Sequence, residues 1–286
     1  MTAGKTASLD LRFGDCVEAI PRLVPRGAVD VIVTSPPYNL GIRYGAYDDS
    51  RPREHYLEWT DRWIRVAVEA LSEAGSLFLN LGGKPSDPWG PMETAQVVRR
   101  HLGLQNVIHW VKSIAIERQA AGRAAPLAAD LAVGHYKPTP GTRYLHDCHE
   151  YIFHFTRCGD VPLDRLAVGV PYQDKSNVTR WKSSGTGLRC RGNTWFIPYE
   201  TITSRRKDRP HPATFPPRLP EMCLRLHGLG RTRLAMDPFL GIGSTAVACA
   251  RLGVPFIGFE IDRDYLRLAR ERVAAALAES ERGPRP

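Results

Sequence analysis

The sequence predicts an α/β protein built from strand–helix units, with one less regular insert. Short apolar runs alternate with helix-like stretches up to about residue 111 and again after Pro220, and this alternation is typical of βα units. Residues 112–198 lack the alternation and are rich in proline, glycine, arginine, histidine and aromatic residues. A chain of 286 residues is long enough for one large domain with a sizeable insert.

The elements follow from the apolar spacing. Period-two or continuous apolar runs predict strands, and apolar residues three and four apart predict helices. The predicted strands are Leu9–Phe13, Val29–Val33, Ser76–Leu81, Val107–Val111, Glu150–Phe155, Arg233–Met236 and Phe256–Phe259. The predicted helices are Cys16–Leu23, Glu54–Leu71 (ended by Gly75), Thr94–Leu102, Pro220–His227, Ala246–Leu252 and Asp264–Leu277. The polar, tyrosine-bearing residues 39–52, here called the tyrosine loop, are expected to be mobile and near a site.

The charge balance points weakly to nucleic acid. The net charge is +9, the pI is about 9.4, and only seven of the 39 basic residues are lysine. Arginine suits bidentate contacts with phosphates and base edges, although a coding bias explains the same composition. In residues 112–198, basic residues are interleaved with aromatic ones, as phosphate contact and base stacking require. An irregular lid is the alternative interpretation.

The six cysteines include no C-x-x-C pair, so a zinc ribbon or redox motif is not supported. His146, Cys148, His149, His154 and Cys158 cluster in the sequence, but reduced cysteines are the default and no metal is expected. No apolar run approaches the roughly 20 residues that span a bilayer, and the first residues lack a signal-peptide core. We therefore expect a cytoplasmic protein.

The most unusual stretch is Thr-Ser-Pro-Pro-Tyr at residues 34–38, here called the proline turn. Two consecutive prolines end a strand, and the residue before each proline is held extended. The stiff turn offers the Ser35 hydroxyl and the Pro36 carbonyl as acceptors beside the Tyr38 ring. Two fixed acceptors and a flat face suit a planar ring that carries an amino group. An ordinary strand end with a packed tyrosine is the alternative.

A second constellation, residues 233–262, has the length of a nucleotide-binding strand–helix–strand unit. Its turn, residues 237–243, is here called the glycine turn. Gly241 and Gly243 let the backbone approach a ligand closely, and the following helix offers free N–H groups to an anionic ligand part. Glu260 ends the next strand, where a carboxylate accepts hydrogen bonds from both hydroxyls of a ribose.

The same glycines satisfy the dinucleotide fingerprint G-x-G-x-x-A through Ala246, so a nicotinamide or flavin cofactor is a competitor. Two features disfavour it. Asp237-Pro238-Phe239 is no part of that fingerprint, and the unit lies too near the C-terminus for a second mononucleotide half. The motif therefore favours S-adenosyl-methionine.

Together these pieces resemble the amino-directed DNA methyltransferases of the beta group, which modify cytosine N4 or adenine N6. The resemblance covers nearly the whole chain. Its segments are Phe13-Gly14-Asp15-Cys16 (similar to motif III), Thr34-Ser35-Pro36-Pro37-Tyr38 (catalytic motif IV), His211-Pro212-Ala213-Thr214-Phe215-Pro216 (the segment before motif I), Asp237 to Gly243 (motif I) and Phe259-Glu260-Ile261-Asp262 (motif II). The catalytic motif comes first and the cofactor motif last, which is the permutation that defines this group.

The resemblance implies a Rossmann-like, mostly parallel sheet of seven strands with helices on both faces, in circularly permuted motif order. The strand ending at Asp15 must then lie beside the strand ending at Glu260, with Asp15 facing the cofactor adenine. Residues 1–111 would form the catalytic half, 112–198 a target-recognition region, and 199–286 the half that binds S-adenosyl-methionine. The implied catalytic residues are Ser35, Pro36, Pro37 and Tyr38, and the implied cofactor residues are Asp15, His211, Asp237, Pro238, Phe239, Gly241, Gly243, Ser244, Thr245 and Glu260.

The expected chemistry is direct methylation of an exocyclic amino nitrogen. Acceptors at Ser35 Oγ and the Pro36 carbonyl would hold its two hydrogens and free its lone pair, while Tyr38 stacks on the base. No cysteine follows a proline, which disfavours methylation of a cytosine ring carbon. Within the resembling family, serine in the place of Ser35 favours cytosine N4 over adenine N6.

Other activities stay open. They are the same chemistry on adenine N6, an RNA or protein methyltransferase, an NAD-dependent dehydrogenase, and a DNA-binding protein without activity, which intact Ser35, Asp237 and Glu260 disfavour. The expected partner is double-stranded DNA with the target base flipped out of the helix. Members of the group often form homodimers and some pair with a restriction endonuclease, but no residue of this sequence indicates either partner.

Overall fold

A computed structural model describes residues 7–42, 44–119, 127–134, 142–172, 187–198 and 214–282. Its strands, in chain order, are β1 (Leu9–Phe13), β2 (Val29–Thr34), β3 (Leu71–Leu81), β4 (Gly103–Val111), β5 (Ile114–Ile116), β6 (Leu131–Val133), β7 (His149–Thr156), β8 (Val170–Pro171), β9 (Leu188–Arg189), β10 (Thr194–Phe196), β11 (Ala235–Asp237) and β12 (Phe256–Glu260). Its helices are α1 (Cys16–Leu23), α2 (Arg53–Ala70), α3 (Gly90–Val98), α4 (Arg218–His227), α5 (Ser244–Leu252) and α6 (Arg263–Glu281), with a 3₁₀ turn at Leu229–Arg231.

The central sheet has eight strands among the described residues, in the order β1-β12-β11-β2-β3-β7-β4-β10. All neighbouring strands are parallel except β7, which is antiparallel to both β3 and β4. The predicted mostly parallel α/β fold is therefore confirmed. The seven predicted strands are all present, and the short edge strand β10 is an eighth that the sequence pattern did not indicate.

Helices cover both faces of the sheet. One apolar core includes side chains of α1, α2 and α3, and the other includes side chains of α4, α5 and α6. Strand β2 shows how the sequence divides between the two cores, because Val31 and Val33 belong to one core and Ile32 to the other. A continuous apolar run is what a parallel strand buried on both faces requires.

The two ends of the chain meet in the sheet. Strand β1 pairs in parallel with β12, in a register that places Phe13 opposite Glu260. The Gly14 N–H donates to the Glu260 carbonyl oxygen at 2.9 Å. The expectation that the strand before Asp15 lies beside the strand ending at Glu260 is confirmed.

Several predicted boundaries are wrong. Helix α2 ends at Ala70 without a glycine, and Gly75 lies inside β3, where the pairing with β2 is irregular. The predicted helix Thr94–Leu102 lies one turn earlier, as α3. Strand β11 begins after Arg233, whose guanidinium instead bonds the buried Asp30 carboxylate at 2.9 Å.

The region 112–198 is not separate from the sheet. It supplies β7, between β3 and β4, and also β10 at the edge. Two small antiparallel pairs, β5 with β6 and β8 with β9, are the other strands described in it. Its role in target recognition stays a prediction. None of the described helices has the length and apolar character to cross a membrane.

Candidate active site

The proline turn and the glycine turn line one cavity of about 370 Å³. It lies at the carboxyl ends of parallel strands, where open α/β sheets bind ligands. The predicted site residues that line it are Asp15, Ser35, Pro36, Pro37, Tyr38, Asp237, Pro238, Phe239, Gly241, Ser244 and Glu260. Of the segment that precedes the glycine turn, Thr214 and Phe215 line it, whereas His211 lies outside the described residues.

Asp237 joins the two turns. Its side chain is buried and accepts hydrogen bonds from the Thr34 hydroxyl at 2.7 Å and from the Thr245 hydroxyl at 2.8 Å. A third bond comes from the Phe239 N–H at 3.0 Å. Burial raises the pKa of Asp237 to about 6, although these hydrogen bonds lower it. The carboxyl thus ties the end of β2 to the glycine turn.

Two predicted cofactor residues do not line the cavity. Gly243 has a φ of 82°, and a Cβ there would lie 2.9 Å from the Ala269 Cβ. The glycine at this position allows the left-handed start of α5 and the close packing on α6. Its role in binding a ligand stays a prediction. Thr245 is buried, and its hydroxyl supports Asp237. Both residues thus support the glycine turn through contacts outside the cavity.

Glu260 lines the cavity, and each oxygen of its carboxylate accepts one hydrogen bond from the backbone. One oxygen accepts from the Gly241 N–H at 2.7 Å and the other from the Asp262 N–H at 2.8 Å. Burial raises the pKa of Glu260 to about 7, which the two backbone donors oppose. Each oxygen retains a lone pair for a further donor, so the geometry leaves room for a diol.

Asp15 is exposed at the first turn of α1 and also lines the cavity. It is the N-cap of that helix, because one of its oxygens accepts from the Val17 N–H at 2.8 Å. The Gly14 backbone, with a φ of 152°, turns the chain from β1 into the cap.

The tyrosine loop closes over this cavity through Tyr44, Ala46, Tyr47 and Arg51. Its anchor is Asp49, which is 2% exposed and accepts from the N–H groups of Asn39, Leu40 and Ile42 at 2.8–3.0 Å. The Tyr47 hydroxyl is buried and has no hydrogen-bond partner in the described part of the chain.

Below the proline turn lies a polar cluster that the sequence analysis missed. The Tyr38 hydroxyl lies 2.6 Å from Ser35 Oγ and 3.1 Å from a Glu150 oxygen, and Asn80 Nδ2 donates to it at 2.7 Å. Asn80 is a polar residue near the end of the apolar strand β3, and this exception to the apolar pattern could have marked it as a candidate site residue. No sequence pattern marked Glu150 as a site residue. It lies near the proline turn because β7 runs antiparallel to its neighbours, so that the start of β7 lies beside the ends of β3 and β4.

No group of three or more His, Cys, Asp or Glu side chains that could hold a metal ion occurs in the described residues. His149 and His154 lie on β7 five residues apart, so they point to opposite faces of the sheet. All six cysteines are described and free.

Known proteins resemble this chain over most of its length. A family model for N6/N4 DNA methylases matches residues 29–271. The Type II methyltransferase M.HpaI of Haemophilus parainfluenzae is 25% identical over 262 residues, which cover 90% of this chain and 73% of that protein.

Solved structures share the fold. TTHA0409 of Thermus thermophilus, solved in complex with S-adenosyl-L-methionine, gives a TM-score of 0.59 at 24% identity over 94% of both chains. The PvuII DNA methyltransferase, which is described as cytosine-N4-specific, gives a TM-score of 0.61 at 17% identity, covering 98% of this chain and 97% of that chain.

Proposed function

Because this chain belongs to the N6/N4 DNA methylase family, we propose that it is an S-adenosyl-methionine-dependent DNA methyltransferase of the beta group that methylates the exocyclic N4 of a flipped cytosine. The observation that carries the proposal is the shared cavity of the proline turn and the glycine turn. Ser35, the proposed acceptor of an amino hydrogen, therefore lines the same cavity as Asp237 and Glu260.

The residues of the cavity fit S-adenosyl-methionine. The volume of about 370 Å³ is that of a small-molecule site. Glu260 would accept the ribose hydroxyls, Asp15 would accept from the adenine amino group, and the Phe239 ring and Gly241 would bound the pocket between them. The bound cofactor supplies an electrophilic methyl group.

The proline turn holds the target base in this proposal. Ser35 Oγ and the Pro36 carbonyl accept the two hydrogens of the amino group, so that the nitrogen lone pair leaves conjugation and points towards the cofactor side of the cavity. The Tyr38 ring stacks on the base. No covalent link between protein and base is needed, because positioned acceptors and water exclusion supply the rate enhancement.

The remaining assignments are part of the same proposal. Residues 112–198 read the target sequence, and the basic balance of the chain attracts the DNA backbone. The enzyme acts on double-stranded DNA in the cytoplasm. A partner restriction endonuclease and a homodimer stay predictions from the family resemblance.

The test is nucleoside mass spectrometry on DNA from cells that express the chain, with a Ser35→Ala variant as control. We expect N4-methylcytosine from the wild type and at least a hundredfold less from the variant. N6-methyladenine in its place would overturn the choice of base and leave the methyltransferase assignment standing. If neither base appears, the proposal is wrong.

A further inference from the structure

Four side chains from different elements form a hydrogen-bonded cluster under the proline turn. Glu150 Oε2 lies 2.7 Å from Asn80 Nδ2 and 3.1 Å from the Tyr38 hydroxyl, while its Oε1 lies 3.1 Å from Lys112 Nζ. Asn80 is 1% exposed, and the side chains of Lys112 and Glu150 are 16% and 12% exposed. The cluster therefore lies next to Ser35 and Tyr38, which line the cavity, while Asn80, Lys112 and Glu150 lie outside its lining.

Close packing holds this cluster in place. Gly82 follows β3, and a Cβ there would lie 3.0 Å from Tyr38 Cε2 and 3.1 Å from Glu150 Cδ. Any residue larger than glycine at this position would force the tyrosine ring or the carboxylate to move. The phenol and the carboxylate have little freedom to separate.

The cluster has a fixed direction of hydrogen bonding. An ionised carboxylate only accepts, an ammonium only donates, and the amide nitrogen of Asn80 only donates. The opposite amide orientation would set the Asn80 oxygen against Glu150 Oε2, oxygen against oxygen. The phenol of Tyr38 has one hydrogen, and its bond to a carboxylate is charge-assisted and therefore preferred. That hydrogen goes to Glu150.

The contact between Ser35 Oγ and the Tyr38 hydroxyl is 2.6 Å long, and by itself it allows either oxygen to donate. With the phenol hydrogen directed at Glu150, the Ser35 hydroxyl is the donor of this bond. We propose that Glu150, held by Asn80 and Lys112, is a positioning residue that acts through Tyr38 and leaves Ser35 Oγ with only lone pairs facing the cavity.

The consequence for the reaction is specific, and it rests on the proposed function. An amino group has two hydrogens to give and a lone pair that must stay free for the methyl group. A serine hydroxyl that pointed its hydrogen into the cavity would bond that lone pair and block transfer. The cluster prevents this orientation without touching the base.

Glu150→Gln tests the proposal with almost no change of shape. Lys112 keeps the remaining carbonyl oxygen, so the new amide nitrogen takes the place of the oxygen that accepts from both Tyr38 and Asn80. The variant therefore removes the acceptor that directs the phenol hydrogen away from Ser35. We expect kcat for methyl transfer to DNA to fall at least tenfold, with the KM for DNA and the dissociation constant of S-adenosyl-homocysteine changed less than threefold. Glu271→Gln, the same change at a 59% exposed side chain on α6 that pairs with Arg267, is the matched control and should keep kcat within twofold.

Double variants separate positioning from folding. If Glu150 acts through Tyr38, then Glu150→Gln added to Tyr38→Phe costs nothing beyond Tyr38→Phe alone. Likewise, Tyr38→Phe added to Ser35→Ala should lower kcat no further than Ser35→Ala alone. This second cycle keeps Glu150, so it still tests the inference if the Glu150 variant does not fold. Additive losses in either cycle would overturn the inference, as would an unchanged kcat in Glu150→Gln. A wild type that transfers no labelled methyl to DNA would instead refute the proposed function.

Discussion

Glu260 makes the strongest prediction about a single residue. Its carboxyl has a pKa raised to about 7 by burial, so in the free protein it is protonated below that pH. In the proposed complex, hydrogen bonds donated by the ribose hydroxyls would favour the ionised form of Glu260. Binding of S-adenosyl-homocysteine should therefore weaken as pH falls through 7, approaching tenfold per pH unit, and should release a proton near pH 6.5.

Isothermal titration at pH 6, 7 and 8, in two buffers of different ionisation enthalpy, measures both effects. Glu260→Gln should bind more weakly at pH 8 and lose the dependence between pH 6.5 and 8. An affinity in the wild type that does not change between pH 6 and 8 would show that Glu260 does not bind the ligand.

Thr34 carries a second prediction at the residue scale. Its hydroxyl is one of three donors to the buried Asp237 carboxyl. Thr34→Val removes that donor and should lower the free energy of unfolding by about 1–3 kcal/mol. Thr34→Ser, which keeps the hydroxyl, should lose clearly less. Urea denaturation without cofactor compares the two variants, and equal losses would mean that the hydrogen bond to Asp237 contributes little.

At the scale of elements, the tyrosine loop has internal hydrogen bonds that its polar sequence did not indicate. The Asp49 carboxylate accepts hydrogen bonds from three backbone N–H groups of the loop. Asn39, with a φ of 59°, donates from its side chain to the Arg51 carbonyl oxygen at 2.8 Å and so links the two ends of the loop. Asp49→Asn sets an amide N–H against backbone donors. We expect faster hydrogen exchange across residues 39–52 and at least fivefold weaker binding of S-adenosyl-homocysteine, with little change in the stability of the core.

The control for the loop is Asp48→Asn. Asp48 is the exposed neighbour and bonds only Ser50 among the described residues, so its substitution should change neither exchange nor binding. If Asp49→Asn and Asp48→Asn behave alike, the buried carboxylate does not organise the loop.

The sequence indicated the elements well where the signal is local, and poorly where it depends on distant partners. The two turns were recognised from their prolines and glycines, and the seven strands followed from apolar periodicity. Strand β10 did not, because three residues at a sheet edge carry no periodic pattern. Glu150 was also missed, since its position depends on β7 running against its neighbours. The close contact of Gly243 with Ala269 on α6 could not be predicted, because it is a tertiary one.

At the scale of the whole molecule, one buried contact joins the sheet to a helix layer. Ser76 Oγ on β3 lies 3.0 Å from His154 Nε2 on β7 and 3.0 Å from His227 Nδ1 at the end of α4. Burial lowers the pKa of His154 to about 3 and that of His227 to about 4. Both rings are therefore neutral in the folded protein at neutral pH.

This contact predicts loss of global stability in acid. The ordinary pKa of histidine is about 6.5, so the unfolded chain takes up these protons first, and the stabilisation is complete above pH 6.5 and lost as pH falls towards 4. Asp237 and Glu260 act in the opposite direction, because their raised pKa values favour the folded state in acid. The histidine contribution is therefore isolated only by comparing variants.

His227→Asn keeps a polar atom near the Nδ1 position and removes the titrating ring. Between pH 7 and pH 5, the wild type should lose about 2 kcal/mol more unfolding free energy than this variant, given the His227 pKa of about 4. Urea denaturation at the two pH values measures the difference. Parallel losses in the two proteins would mean that the pKa of His227 is nearly the same in the folded and unfolded states.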